Sequence, residues 1–185
     1  QHAPCTSHSA YRLPRFGRLL DFNSAQTATG ALAALGLAPQ DIDLVILSHG
    51  HIDHVGSLPL FAHAPIVMTA RERADPKPCY FGSARPMDWP DATYHLIDAE
   101  TPVCHGLTLI PTPGHTPGHL SALVTLPDGR AVILAADAIN RISEPDEGFA
   151  DAVLPAAAMA SFHRLTALAK ATGATLIYGH EPSQW

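Results

Sequence analysis

The chain of 185 residues is short of cysteine, of positive charge and of long apolar runs, and each shortage closes off a class of protein. Its three cysteines, Cys5, Cys79 and Cys104, are odd in number and widely spaced, which suits reduced thiols in a cytosolic protein better than a disulfide framework. Its 11 lysines and arginines are scattered among 17 acidic residues, for a formal net charge of -6. That leaves no basic face for nucleic acid or an anionic membrane. No stretch approaches the roughly 18 apolar residues of a membrane span, and the N-terminus lacks the charged-then-apolar order of a secretory signal. The expectation is a soluble, cytoplasmic protein with neither nucleic acid nor membrane as partner. There is no internal repeat, low-complexity tract or dividing linker, so residues 1–185 are expected to form a single domain. No methionine opens the chain, and residues ahead of Gln1, N-terminal strands among them, are expected to be missing.

What is present is enough for a packed core: 46% of residues are hydrophobic and 15% charged. Gly17–Asn23 reads as a strand, followed by a helix from the cap Ser24 to the stop Gly36. Asp43–Ser48 is a continuous apolar run of the kind buried on both faces, and Ala64–Ala70 is a second short strand. Asp75–Asp91 carries four prolines and reads as a long loop. Further strands are expected in Leu107–Gly114, Leu120–Leu126, Ala131–Ala136 and Thr175–His180, with Asp128-Gly129 as a hairpin turn. Pro155–Gly173 has the start, apolar face (Ala158, Phe162, Leu165, Ala169) and stop of a helix.

The informative stretch is Ser48–Gly56, "SHGHIDHVG", directly after the first buried run. Four potential ligands, His49, His51, Asp53 and His54, fall within six residues. On a turn leaving a strand, His49 and His51 can converge on one ion while Asp53 and His54 turn toward another. Imidazole with carboxylate suits zinc, manganese or iron, and no cysteine stands near enough for a thiolate site. His115, Asp137 and His180 each end a further apolar strand. Taken singly, Asp137 reads equally well as a turn residue and His180 as a surface histidine. Taken with the cluster, they make seven ligands, the number two ions need if Asp137 bridges them.

"SHGHIDHVG", "TPGHTPGHLS", "AAD" and "YGH" resemble, in order and spacing, the metal-binding motifs of the metallo-β-lactamase superfamily, over roughly Gly17 to the C-terminus. The resemblance implies an α/β fold, the αβ/βα sandwich of two mixed sheets with helices on the outside and a dinuclear site at one sheet edge. It implies His49, His51 and His115 on the first ion, Asp53, His54 and His180 on the second, and Asp137 between them. An aspartate at the bridging position, where many zinc β-lactamases use a cysteine on the second metal, points away from β-lactam hydrolysis. His51 stands where the related diiron oxygen reductases place a glutamate, which points toward hydrolysis. From Leu107 onward the chain is most similar to the quorum-quenching N-acyl homoserine lactone lactonases. It departs from them in its shorter length and at Asn140, where they commonly place a tyrosine that bonds the substrate carbonyl.

The resemblance thus implies a hydrolase that opens a lactone or ester with water activated by two divalent ions, zinc before manganese, iron or cobalt. Asp53 would orient the nucleophile and protonate the leaving oxygen, and Asn140 would make a weak carbonyl contact or serve as a turn residue. The same site in other relatives cleaves thioesters or phosphodiesters, but no basic cluster is present to hold an anionic thiol cofactor or RNA. A metal-binding scaffold without activity is the alternative outside enzymes. His119 is expected to support a ligand rather than be one. His2, His8, His63, His95, His105 and His163 read as surface or capping residues, and Cys79 and Cys104 as small, partly buried fillers. Trp89 either lines an acyl pocket or anchors its own loop. A small-molecule lactone or ester is the expected partner, and a homodimer is compatible with the sequence.

Overall fold

The structure is a computed structural model that describes residues 23–79, 84–85 and 87–184. The chain divides into two compact units, residues 1–41 and 42–185. In the first, the helix expected from Ser24 is split. A single 3-10 turn, Ser24–Gln26, is capped by Asn23, and helix α1 (Ala28–Ala34) starts afresh with Thr27 as its cap. Thr27 takes an extended conformation, and its hydroxyl accepts from the N–H of Gly30 at 3.1 Å, so the cap interrupts what the alanine-rich pattern alone would join. The strand expected over Gly17–Asn23 lies, up to residue 22, outside the described residues.

The second unit holds two sheets. Strands β1 (Val45–Ile46), β2 (Ile66–Thr69) and β3 (Tyr94–Ile97) form a parallel sheet in that order. The one-turn helix α2 (Ile52–Val55) follows β1, and the one-turn helix α3 (Ala70–Arg73) follows β2. Strands β4 (Thr101–Cys104), β5 (Leu107–Pro111), β6 (Leu120–Thr125), β7 (Ala131–Ala136) and β8 (Thr175–Tyr178) form the second sheet. Its neighbours are antiparallel except β7 and β8, which are parallel and joined through helix α4 (Pro155–Thr172). The period of two in each strand sorts side chains into three apolar layers. Ile46, Val67 and Ile97 of the first sheet meet Val103, Leu107, Leu109, Leu120 and Ala122 of the second. On the far side of the first sheet, Ile66 and Met68 pack with Leu47, Val55 and Leu58. On the far side of the second, Ile110, Ile133 and Ala135 pack with Leu165 and Phe162 of α4.

Strands β3 and β4 have no counterpart among the sequence expectations. Both are edge strands only partly buried, and β4 carries Pro102, which an edge position tolerates because one side of an edge strand needs no ladder bonds. Helix α4 is the longest element, running from Pro155 to a C-cap at Gly173, whose φ of 68° is the left-handed value that glycine adopts at little cost. Leu165 is its fully buried anchor. Truncation to alanine removes that burial and leaves a cavity. Leu165→Ala is therefore expected to lower the unfolding free energy by about 2–5 kcal/mol in urea denaturation. A loss under about 0.5 kcal/mol, the usual range of surface substitutions, would contradict the packing of α4 on the second sheet.

Candidate metal centre

Strand direction delivers the candidate ligands to one place. In the second sheet, β5, β7 and β8 end, and β6 begins, at the same edge, which follows from their antiparallel and parallel pairing. The loop after β5 carries His115 and His119, the turn after β7 carries Asp137, and the turn after β8 carries His180. The segment after β1 joins them because it changes partner. Leu47 still bonds to Val67 of β2, but the Ser48 carbonyl accepts from Leu120 N of β6 at 2.9 Å. The chain thereby crosses from one sheet to the other just before His49, which also explains why β1 is only two residues long.

Two further closures complete the edge. Gly179 N donates to Ile139 O at 3.0 Å and His180 N to Asn140 O at 2.9 Å, tying the turns after β7 and β8 together. A Cβ at Gly179 would lie 2.6 Å from Asp137 Oδ1, so only glycine permits that approach. Ala136, immediately before Asp137, sits at φ 46°, a conformation that costs a residue with a Cβ about 1–2 kcal/mol, and it lies where the β7–β8 register shifts. The strain is local to the residue that aims the carboxylate.

All seven candidate residues meet there. His49, His51 and His115 form one cluster and Asp53, His54, Asp137 and His180 the other, each with its ligand atoms within 4.8 Å of one another. His51 Nδ1 and His115 Nε2 approach to 2.9 Å. Asp137 stands between the clusters. Its Oδ2 lies 3.8 Å from His49 Nε2, 3.3 Å from His115 Nε2 and 3.4 Å from His180 Nε2, while its Oδ1 lies 3.3 Å from His54 Nε2. Asp53 Oδ2 is 3.5 Å from both His54 Nε2 and His180 Nε2. The first cluster is deeper, with His49 fully buried, whereas Asp53 and His180 are exposed and open the second to solvent.

The site's electrostatics fit cations. His49 Nε2 and Asp137 Oδ1 are buried and lack an aligned hydrogen-bond partner among the described residues, which is costly for polar atoms unless something satisfies them. Burial first, then the neighbouring imidazoles, hold His49 well below its usual range, and burial lowers His115 to about 4. Both rings are thus neutral at pH 7, with lone pairs to offer. Burial also works against a charge on His54, yet its contacts with Asp137 and Asp53 raise it to about 9. The hydrogen bond with His54 keeps Asp53 at about 2. The pocket as a whole calls for positive charge, and its imidazole and carboxylate donors suit two divalent ions.

Supporting groups orient the rings. Ser48 Oγ lies 3.1 Å from His49 Nδ1 and 3.3 Å from His54 Nδ1, so one hydroxyl meets the far nitrogen of a ring from each cluster and leaves both Nε2 atoms toward Asp137. Beneath them, Ser121 Oγ donates to Ala135 O, so Thr112 Oγ1 must donate to Ser121 and accept from His119 Nδ1. His119 therefore carries its proton on Nδ1, is held neutral by burial at about 3, and packs on His49 with ring centroids 5.1 Å apart. It belongs to neither cluster.

Asn140 is taken up by its own turn. Its Nδ2 donates to Glu144 Oε1 at 3.0 Å, its backbone N–H meets the same carboxylate, and its Oδ1 is buried. Trp89 anchors its loop, its Nε1 donating to Asp75 O at 2.8 Å. His63, His95, His105 and His163 are exposed, and His2 and His8 lie outside the described residues. Cys79 is half-buried and accepts from Arg85 Nη1 at 3.0 Å. Cys104 is exposed, which corrects its expected role as a partly buried filler: it ends the edge strand β4. Sequence reasoning passed over Ser48, Glu72 and Glu144. A signal existed for Glu72, since Thr69–Glu72 reads "TARE", a capping box. Thr69 does cap α3, accepting from Glu72 N at 3.1 Å, but the Glu72 carboxylate turns toward the ligand loops.

The chain is similar to several known proteins. The sequence model of the family described as Metallo-beta-lactamase superfamily matches residues 13–180. N-acyl homoserine lactonase AttM of Azorhizobium caulinodans is 30% identical over 167 residues, which cover 82% of this chain and 63% of that protein. N-acyl homoserine lactonase AiiA of Bacillus thuringiensis subsp. kurstaki is 31% identical over 160 residues, 83% of this chain and 61% of that one. A solved N-acyl homoserine lactone hydrolase, with N-hexanoyl-L-homoserine bound at its catalytic metal centre, superposes with a TM-score of 0.75 at 27% identity, over 89% of this chain and 66% of the other. The chain thus spans less than two thirds of the length of these curated relatives.

Because Asp137 touches both clusters, its loss should be felt at both. Asp137→Ala is expected to weaken both stepwise zinc affinities in equilibrium dialysis, and His180→Ala only one of them. Two ions bound by Asp137→Ala with wild-type affinity would contradict the bridging position.

Proposed function

The chain belongs to the metallo-beta-lactamase superfamily, and from that premise we propose that it is a dinuclear metal-dependent hydrolase that opens N-acyl homoserine lactones. The observation that carries the reading is the convergence of five imidazoles and two carboxylates on one edge, with Asp137 between two sets. Relatives named as N-acyl homoserine lactonases, at about 30% identity, supply the substrate class.

When bound, a pair of divalent ions, zinc first among them, supplies Lewis acidity that brings the pKa of water from 15.7 to about 7 and polarises an ester carbonyl. The chain's own residues do the rest. His49, His51 and His115 would hold one ion at the buried side, and Asp53, His54 and His180 the other at the open side, with Asp137 shared. The opening beside Asp53 and His180 gives a lactone its way in. The oxygen of Asp53 that does not hold the ion would take a proton from the attacking water and return it to the ring oxygen as the acyl–oxygen bond breaks. One water is consumed and one N-acyl homoserine released. Ile142 and Val153 are exposed apolar residues whose backbone N–H groups bond at or next to candidate ligands. Val153 N bonds to His115 O, and Ile142 N to Glu181, the residue after His180. They offer apolar surface to an acyl chain.

Purified protein loaded with zinc, manganese or cobalt is expected to open N-hexanoyl homoserine lactone, to lose that activity on exhaustive chelation, and to regain it when metal returns. Turnover that persists in chelated, metal-free protein would sink the reading. Asn140 gives a second check. Removing a hydrogen-bond donor to the developing oxyanion typically costs about 10²–10³ in turnover. Asn140 is engaged with Glu144 instead, so Asn140→Ala is expected to keep lactone turnover within about tenfold of wild type while lowering the melting temperature. A loss of about 10²-fold or more with metal content intact would restore Asn140 as the carbonyl contact.

A further inference from the structure

We infer that Glu72 is a positioning residue for the His49–His51–His115 cluster, holding its two ligand loops in register through a single buried carboxylate. The inference rests on the metal-centre reading and extends it to a residue outside both clusters. Glu72 is only 8% exposed, although it carries a carboxylate that would be costly to bury unpaired. Three donors satisfy it, and none comes from its own helix. Oε1 accepts from Gly50 N at 2.8 Å, and Oε2 accepts from Thr116 Oγ1 at 2.7 Å and Gly118 N at 3.0 Å.

The origin of those donors gives the carboxylate its role. Gly50 is the residue between His49 and His51, and Thr116 follows His115 directly. All three residues of the deeper cluster therefore sit beside a group bonded to Glu72, whereas Asp53, His54, Asp137 and His180 do not. The contact that depends on this register is His51 Nδ1 against His115 Nε2, between side chains 64 residues apart in sequence. The loop that carries His115 also lies tight against the start of α3 itself. Thr69 Oγ1, which caps α3, donates to Gly118 O, and a Cβ at Gly118 would fall 2.2 Å from Glu72 N. A carboxylate is needed because all three partners are donors. A glutamine would turn an N–H₂ group toward at least one of them.

The test measures metal affinity directly, by zinc competition titration of the full chain against a chromophoric chelator, in wild type, Glu72→Gln and Thr116→Val. Thr116→Val removes one of the three bonds and leaves the carboxylate on Gly50 and Gly118, so it carries the test if Glu72→Gln does not fold. Circular dichroism establishes that each protein compared is folded. Losing a partner behind the ligands typically costs 10–100-fold in affinity. One of the two stepwise constants is expected to weaken by about 10–100-fold in Glu72→Gln and by a smaller factor in Thr116→Val, the other staying within about threefold. The same loss is expected in a His180→Ala background, where the intact cluster is the deeper one. Folded variants that keep both wild-type constants, or lose both equally, would overturn the inference. Wild-type protein that binds no zinc would overturn the metal-centre reading itself.

Discussion

The structure depends on one buried carboxylate at the end of an apolar strand. Asp137 is only 4% exposed, follows Val132–Ala136 without a polar residue between, and reaches imidazoles from both candidate clusters. Such a group is stable only where positive charge or donors meet it, and the rest of the edge is arranged to meet it. β7 ends in a left-handed alanine, the following turn is bonded to the one that carries His180, and residue 179 has no side chain. Crossing from one sheet to the other at Ser48 brings in the remaining candidate ligands. The short length of β1, odd when seen as a strand, follows from that crossing.

How much of this could be read from residues alone depended on how local the signal was. The candidate ligands were legible because four of them crowd into six residues after an apolar run, three more each follow another such run, and together they resemble the motifs of a known superfamily. Strands β6 and β7 and helix α4 were legible by their apolar pattern, with turn residues and caps marking their ends. Edge strands β3 and β4 were not, because they are half-exposed, short and, in β4, interrupted by proline. Thr27 gave no warning that it would start a second helix, since a threonine inside an alanine-rich run fits either a cap or an interior position.

The supporting shell was the least legible part, and for a physical reason. Glu72 lies 22, 44 and 46 residues from its three partners, and nothing local to "TARE" distinguishes a carboxylate that caps its own helix from one that braces two distant loops. Ser48 and Thr112 likewise matter only once the fold sets a ring nitrogen opposite them. Asn140 shows the converse. The resemblance to lactonases suggested a contact with substrate at this position, and in the structure its amide donates to Glu144, four residues on. Sequence spacing identifies which side chains arrive at the edge. Which atom of each is already engaged is decided by tertiary contacts.

The central claim is that Asp137 lies between two metal ions, one held by His49, His51 and His115 and the other by Asp53, His54 and His180. The direct measurement is anomalous diffraction at the zinc edge from crystals of zinc-loaded protein. Two strong peaks are expected, one on each side of the Asp137 carboxylate, with each ion in bonding distance of one of its oxygens or of a shared one. A single peak, or two peaks with Asp137 bound to neither, would contradict it.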